Sequence, residues 1–86
     1  MRPRTPKLSP LYRLQYEQAQ ERWVLLYPEG MVRLNGAAGD ILRRIDGTST
    51  AEELIRDLQQ AYPGADLGND VMQFLREAEE RGWLVY

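Results

Sequence analysis

The first half of the chain alternates apolar and polar residues in a way that predicts β-strands. Between Arg13 and Asn35, two runs place apolar residues at every second position, and a Pro28-Glu29-Gly30 turn leads into a third run. Period-two alternation puts the apolar side chains of a strand on one face. The pattern predicts a three-stranded antiparallel meander whose third strand, Met31 to Leu34, lies at an edge and passes directly into a helix capped by Asn35.

The second half follows the 3.6-residue period of amphipathic helices. The first predicted helix covers about residues 36–45. The second begins after a capping box at Thr50 and ends near Tyr62, and the third covers about residues 69–81. We therefore predict an α+β fold: a small winged-helix-like module with an N-terminal three-stranded antiparallel sheet followed by three α-helices.

Composition argues against catalysis. The 86 residues, predicted to form one domain over residues 1–86, include no cysteine and no histidine. This removes disulfides, the commonest zinc ligands, the thiol nucleophile and the usual neutral-pH general base. The acidic residues are scattered, and the glycines lack the spacing of a phosphate loop. We expect no enzyme activity, no cofactor and no metal site.

Hydropathy and charge limit the cellular locations and the partners that this chain can be expected to have. No apolar run approaches the ~20 residues of a membrane span, so a cytoplasmic protein without membrane association is predicted. The first thirteen residues carry four positive charges and no acid, although the whole chain has a net charge of −2. Three prolines also fall within residues 1–10. This segment is predicted to be a flexible basic arm, with docking to an acidic partner or to nucleic acid as the alternative.

A winged-helix shape also suggests a DNA-binding regulator, which is the alternative function. The predicted third helix carries four acids and only two arginines, whereas phosphate contacts require Lys and Arg. The link over residues 63–68 is also longer than a helix-turn-helix turn. We expect no nucleic acid partner.

An exposed edge strand beside a helix favours peptide docking instead. The edge offers unpaired amides and carbonyls to another extended chain, and the helix supplies pockets for alternate side chains. Alternation places Met31 and Arg33 on the strand face opposite Val32 and Leu34. Met31 is either an isolated exposed apolar residue or part of a binding surface. The same edge leaves two oligomeric states open, a monomer and a strand-exchanged homodimer.

Three segments carry a family resemblance. RLQYEQAQERWVLLYPEGMVRLN, the ILRRIDG turn and the closing RGWL resemble the pyrroloquinoline quinone biosynthesis protein D (PqqD) family, small peptide-binding modules also called RiPP recognition elements. The YPEG turn, the LN junction and the DG helix stop occur in family order and spacing. The likeness covers about Leu8 to Leu84.

The resemblance implies a non-catalytic peptide chaperone. Such a protein binds the ribosomal precursor peptide PqqA and presents it to the radical S-adenosylmethionine enzyme PqqE in pyrroloquinoline quinone biosynthesis. In the family the peptide is held as an added strand against the third strand, beside the third helix. On this sequence the implied peptide-binding residues are Gly30, Met31, Val32, Arg33, Leu34, Asp70, Gln73, Phe74 and Glu77.

Overall fold

A computed structural model describes residues 4–86 of the chain. Within that range the elements are β1 (Lys7–Leu8), β2 (Arg13–Glu17), β3 (Arg22–Tyr27), β4 (Gly30–Arg33), α1 (Gly36–Leu42), α2 (Ala51–Ala61), α3 (Gly68–Glu80) and β5 (Leu84–Val85). The predicted α+β fold, with its antiparallel meander and three helices, is confirmed. None of the helices in residues 4–86 is long and apolar enough to cross a membrane.

The meander is the three-stranded sheet β2-β3-β4, so β4 lies at an edge as the sequence predicts. A two-residue loop joins β3 to β4, with Tyr27 directly opposite Gly30. Gly30 has a φ of 157°, which side chains rarely adopt, so glycine suits this end of the turn. Met31 is 41% exposed and Val32 only half-buried, because alternate residues of β4 face solvent and core.

A second, two-stranded sheet corrects the prediction of a flexible arm over residues 1–10. β1 pairs with β5, Pro6 is fully buried, and the Ser9 amide donates to the Trp83 carbonyl at 2.8 Å. Pro6 and Pro10 flank the two-residue strand, so neither removes a ladder donor. The arm prediction is therefore wrong for these packed residues, while residues 1–3 lie outside the described range.

The hydrophobic core lies between one face of the meander and the three helices. Its buried members are Leu25, Leu34, Ala38, Ile41, Leu42, Leu54, Leu58, Val71, Leu75, Ala78 and Leu84. α1 approaches β3 closely at Gly39, where a Cβ atom would stand 2.8 Å from the Trp23 ring. Glycine at this position therefore sets the distance between helix and sheet.

Side-chain hydrogen bonds determine where two of the helices begin. The Asn35 side chain accepts from the Ala38 amide at 2.7 Å, which confirms it as the N-cap of α1, and Thr50 forms a complete capping box with Glu53. α1 stops at Leu42 rather than near residue 45. The Arg43 amide still donates to Gly39, four residues back, but the Arg44 and Ile45 amides donate to carbonyls three residues back, which tightens the last turn out of the α-helical pattern.

A charged cluster joins α1 to α2. Asp40 accepts from the Tyr62 hydroxyl, from Arg43 Nε at 2.9 Å and from Arg44 Nη1 at 2.6 Å, and Arg44 Nε also donates to Asp57 at 3.1 Å. Burial raises the pKa of Asp40. The hydrogen bonds from Tyr62, Arg43 and Arg44 and the charge of Arg44 outweigh burial, and the pKa falls from 3.8 to about 2. The cluster thus stabilises the fold only while Asp40 is ionised.

Acid is therefore expected to weaken the fold through Asp40. A carboxyl whose pKa is lower in the folded state contributes stability above its unfolded pKa of 3.8 and loses it as the pH falls towards about 2. The Asp40→Asn variant should show a shallower loss of stability across this interval, measured by urea unfolding at a series of pH values.

Asp46 provides the matched comparison for this experiment. The Thr48 and Ser49 amides lower its pKa to about 2 as well, so Asp46→Asn should remove a second, independent part of the same pH dependence. An Asp40→Asn variant whose stability falls as steeply as that of the parent would contradict the assignment.

Candidate peptide-binding groove

A surface groove runs between β4 and α3 and has a volume of about 580 Å³. Apolar side chains from the core-facing side of the sheet and from one face of α3 meet in it. We call this the β4–α3 groove; its lining residues are Tyr12, Tyr27, Val32, Arg33, Leu34, Asn35, Ala38, Phe74, Glu77, Ala78, Arg81 and Trp83. It is the candidate binding site because it lies beside the edge strand.

The helix side of the groove follows from helical spacing. Phe74 and Ala78 are four residues apart, as are Glu77 and Arg81, so each pair projects from one stripe of the helix. The Arg81 guanidinium lies 5.6 Å from the centre of the Trp83 ring, within the range of a cation–π contact. The groove therefore combines an apolar surface with one acid and one base from the helix.

The aromatic end of the groove lies near the β3–β4 turn. The rings of Tyr12 and Tyr27 are 5.5 Å apart and inclined at 40°, a common geometry for an aromatic pair. The Ser9–Trp83 hydrogen bond draws the segment that contains Tyr12 towards Trp83. Both ends of the chain thus contribute walls to the same groove.

The hydrogen-bond pattern of β3 and β4 identifies the backbone groups at the free edge. The Leu34 amide donates at 3.0 Å to the carbonyl of Trp23, which lies opposite it one step beyond the Val24–Arg33 pair. In an antiparallel pair, directly opposed residues alternate between exchanging hydrogen bonds and pointing their backbone groups away from each other. Val32 is two residues from Leu34 and therefore also directs its backbone towards β3.

The residues between these positions have the opposite orientation. Met31 faces Leu26 and Arg33 faces Val24, and both are non-hydrogen-bonded pairs in this register. Their N–H and C=O groups consequently point outward from the sheet edge. The edge offers two donors and two acceptors, spaced as an incoming extended chain requires.

The structure brings five of the nine implied site residues into the groove: Val32, Arg33, Leu34, Phe74 and Glu77. Gly30 and Met31 lie on the same edge strand but do not line the groove. Asp70 lines a different cavity of about 400 Å³, which adjoins all three helices. Gln73 lies on the outer surface of α3, where its Nε2 donates to Glu77 Oε1 at 3.3 Å. The peptide-binding roles of all nine stay predictions.

Sequence reasoning missed several lining residues. Ala78 and Arg81 carried a usable signal, because each lies one helical turn beyond a candidate that was identified. Tyr12 lies two residues before Leu14 and continues the alternation of β2. Trp83 carried no signal, because it adjoins β5, whose two residues are too few to show a period.

Comparisons with known proteins relate the chain to one family. The family model described as Coenzyme PQQ synthesis protein D (PqqD) matches residues 22–84. The chain is 47% identical over 81 residues to a PqqA binding protein of Acinetobacter baylyi, with 93% of this chain and 82% of that protein covered. It is 45% identical over 84 residues to a PqqA binding protein of Pseudomonas fluorescens, with 96% and 92% covered.

A solved structure shares the fold. It is the solution NMR structure of the PqqD truncation of Methylobacterium extorquens PqqCD, described as a functional, stand-alone RiPP recognition element. The two chains superpose with a TM-score of 0.77 at 27% identity, and the match covers 94% of this chain and 88% of that one. The chain therefore belongs to the PqqD family, a non-catalytic family of coenzyme PQQ synthesis, and the prediction that it is not an enzyme is confirmed.

Proposed function

We propose that this chain binds the precursor peptide PqqA as an added strand on β4 and presents it to PqqE. One observation carries the binding half: the outward backbone groups of Met31 and Arg33 lie along the same strand that forms one wall of the β4–α3 groove. An extended peptide can therefore pair its backbone with the edge and place side chains in the groove at once. The relatives named PqqA binding proteins support this choice of peptide.

Each part of the site supplies a different component of recognition. Backbone pairing at Met31 and Arg33 is insensitive to peptide sequence, so it contributes affinity. The half-buried Phe74 and Val32 offer apolar surface to alternate peptide side chains, and Glu77 and Arg81 add charges of both signs. Selectivity among peptides is therefore assigned to the groove side chains.

The assignment to a non-catalytic family supports presentation of the bound peptide to a separate enzyme, which we propose is PqqE. A peptide held here has to be modified by another protein, and an extended, surface-bound peptide remains accessible to one.

The acidic residues of α3 argue against the DNA-binding alternative, because a helix that reads DNA needs cationic side chains. We also propose that residues 1–86 form a single domain, that the protein is cytoplasmic, and that it is either a monomer or a strand-exchanged homodimer.

Titration of PqqA into the ¹⁵N-labelled protein tests the binding half. We expect amide shifts to concentrate on β4 and α3, and we expect Phe74→Ala to weaken binding about 5- to 30-fold, as for a buried aromatic anchor. Met72→Ala is the matched control, because Met72 is 44% exposed on the same helix and lies outside the groove. Equal affinities for the two folded variants would place the peptide elsewhere.

A coupled assay tests the presentation half. PqqE should modify PqqA faster in the presence of this protein, and Phe74→Ala should reduce that stimulation in proportion to its weaker binding. The protein without PqqE should leave the mass of PqqA unchanged. Equal stimulation of PqqE by Phe74→Ala and by the parent would show that presentation does not depend on the groove.

A further inference from the structure

Another cavity lies at the far end of β4, where the sheet passes into α1. Its volume is about 520 Å³. It is lined by Arg22, Arg33 and Glu21, by the core-face residues Tyr16, Trp23 and Leu34, and by Asn35 and Gly36 at the start of α1. Arg33 lines the β4–α3 groove as well, so the two cavities meet at this residue. We call the second one the arginine cavity.

Arg22 and Arg33 occupy diagonal positions on the outer face of the sheet. Arg33 is directly opposite Val24, and Arg22 lies two residues before Val24 on the same face of β3. Long side chains at diagonal positions of neighbouring strands can reach one another. The two guanidinium groups can therefore converge on one ligand.

Neither arginine forms a salt bridge within the part of the chain that the structure describes, although Glu21 lines the same cavity. Among residues 4–86, the salt bridges involve Arg4, Arg43 and Arg44, and no carboxylate pairs with Arg22 or Arg33. Glu17 lies opposite Arg22 in the register but accepts from the Gln15 side chain at 2.7 Å. Two like charges at neighbouring positions repel, and a bound carboxylate would relieve the repulsion with charge-assisted hydrogen bonds.

Strand addition at β4 would bring a side chain to this place. A peptide residue that pairs with the outward backbone of Arg33 has its own side chain on the outer face, next to the Arg33 side chain. The next peptide residue then points to the opposite face, towards the β4–α3 groove. Adjacent peptide positions therefore meet different surroundings: one side chain lies next to Arg33, and the next faces the β4–α3 groove.

We propose that the arginine cavity binds an acidic side chain of the peptide that adds to β4. The preferred peptide then carries Asp or Glu opposite Arg33 and an apolar residue at the adjacent position facing Phe74 and Val32. This inference rests on the proposed strand addition and assigns the peptide chemistry that the site selects. A C-terminal carboxylate has the same chemistry, but a side chain fits a strand that continues past Arg33.

The first arm of the test changes the protein. Arg22→Gln and Arg33→Gln should each weaken PqqA binding about three- to tenfold, with a loss that shrinks as salt rises. Arg13→Gln is the matched control: Arg13 is an exposed arginine on the same face, but on β2 at the opposite edge of the sheet. Its affinity should stay within about twofold of the parent.

The second arm changes the peptide. Each Asp and Glu of C-terminally amidated PqqA is replaced in turn by Asn or Gln. One replacement should weaken binding to the parent protein and have no further effect on the Arg22→Gln, Arg33→Gln double variant. Amidation itself should leave affinity unchanged if the ligand is a side chain.

The outcomes separate this inference from the proposed function. An equal loss for Arg13→Gln, no coupled acid in the peptide, or a loss caused by amidation alone would each overturn the acidic side-chain ligand while PqqA binding stands. Failure of the parent protein to bind PqqA would overturn the proposed function and this inference together.

Discussion

Replacing Met31 with proline is expected to leave the protein folded and to weaken PqqA binding by about 1 to 3 kcal/mol. The Met31 amide points outward from the sheet, so its loss removes a donor that an added strand needs and no bond to β3. Binding would be measured by calorimetric titration, after circular dichroism has shown that the variant is folded. The effect is large because the peptide carbonyl that loses its partner is left partly desolvated.

Two variants control this experiment. Met31→Ala removes the side chain but keeps the amide, so it should bind nearly as well as the parent if backbone pairing dominates. Val32→Pro removes an amide that faces β3 and should destabilise the fold itself. If Met31→Pro is folded and binds PqqA as tightly as Met31→Ala, strand addition at this edge is wrong.

The meander and its edge could be predicted because apolar and polar residues alternate over the length of each strand. Leu25 and Val32 share the core face, and the turn between their strands is marked by proline and glycine. The capping residues Asn35 and Thr50 were equally predictable, since a cap depends on one local side chain. These features are local, and local rules determine them.

The remainder of the site depends on contacts that are distant in the chain. The β1–β5 sheet joins Lys7 to Val85 through strands of two residues, which show no period at all. The orientation of the Met31 amide depends on which residues of β3 and β4 exchange hydrogen bonds, and hydrophobic patterning does not report this directly. The Trp83 wall of the groove and the orientation of the free donors could therefore be identified only in the folded structure.

The predicted arm and the observed β1 lead to opposite expectations for truncation. A flexible arm could be removed without loss, whereas the structure buries Pro6 fully and packs Leu8 against the core. β1 also covers the buried Leu84 of β5, next to the groove residue Trp83. Stability and peptide binding should therefore depend on the same short strand.

Deleting residues 1–8 is expected to lower the free energy of unfolding by at least about 2 kcal/mol, from the lost burial of Pro6 and Leu8. Deleting residues 1–5 is the matched control, because it removes the exposed Arg4–Glu79 salt bridge of 3.1 Å, worth at most about 1 kcal/mol, and keeps β1. Both deletions lack residues 1–5, so their difference reports only on residues 6–8. The longer deletion should also bind PqqA more weakly, since Trp83 loses the support of the β1–β5 ladder. Equal urea midpoints for the two proteins would show that β1 contributes nothing to stability and would restore the interpretation of this segment as a dispensable arm.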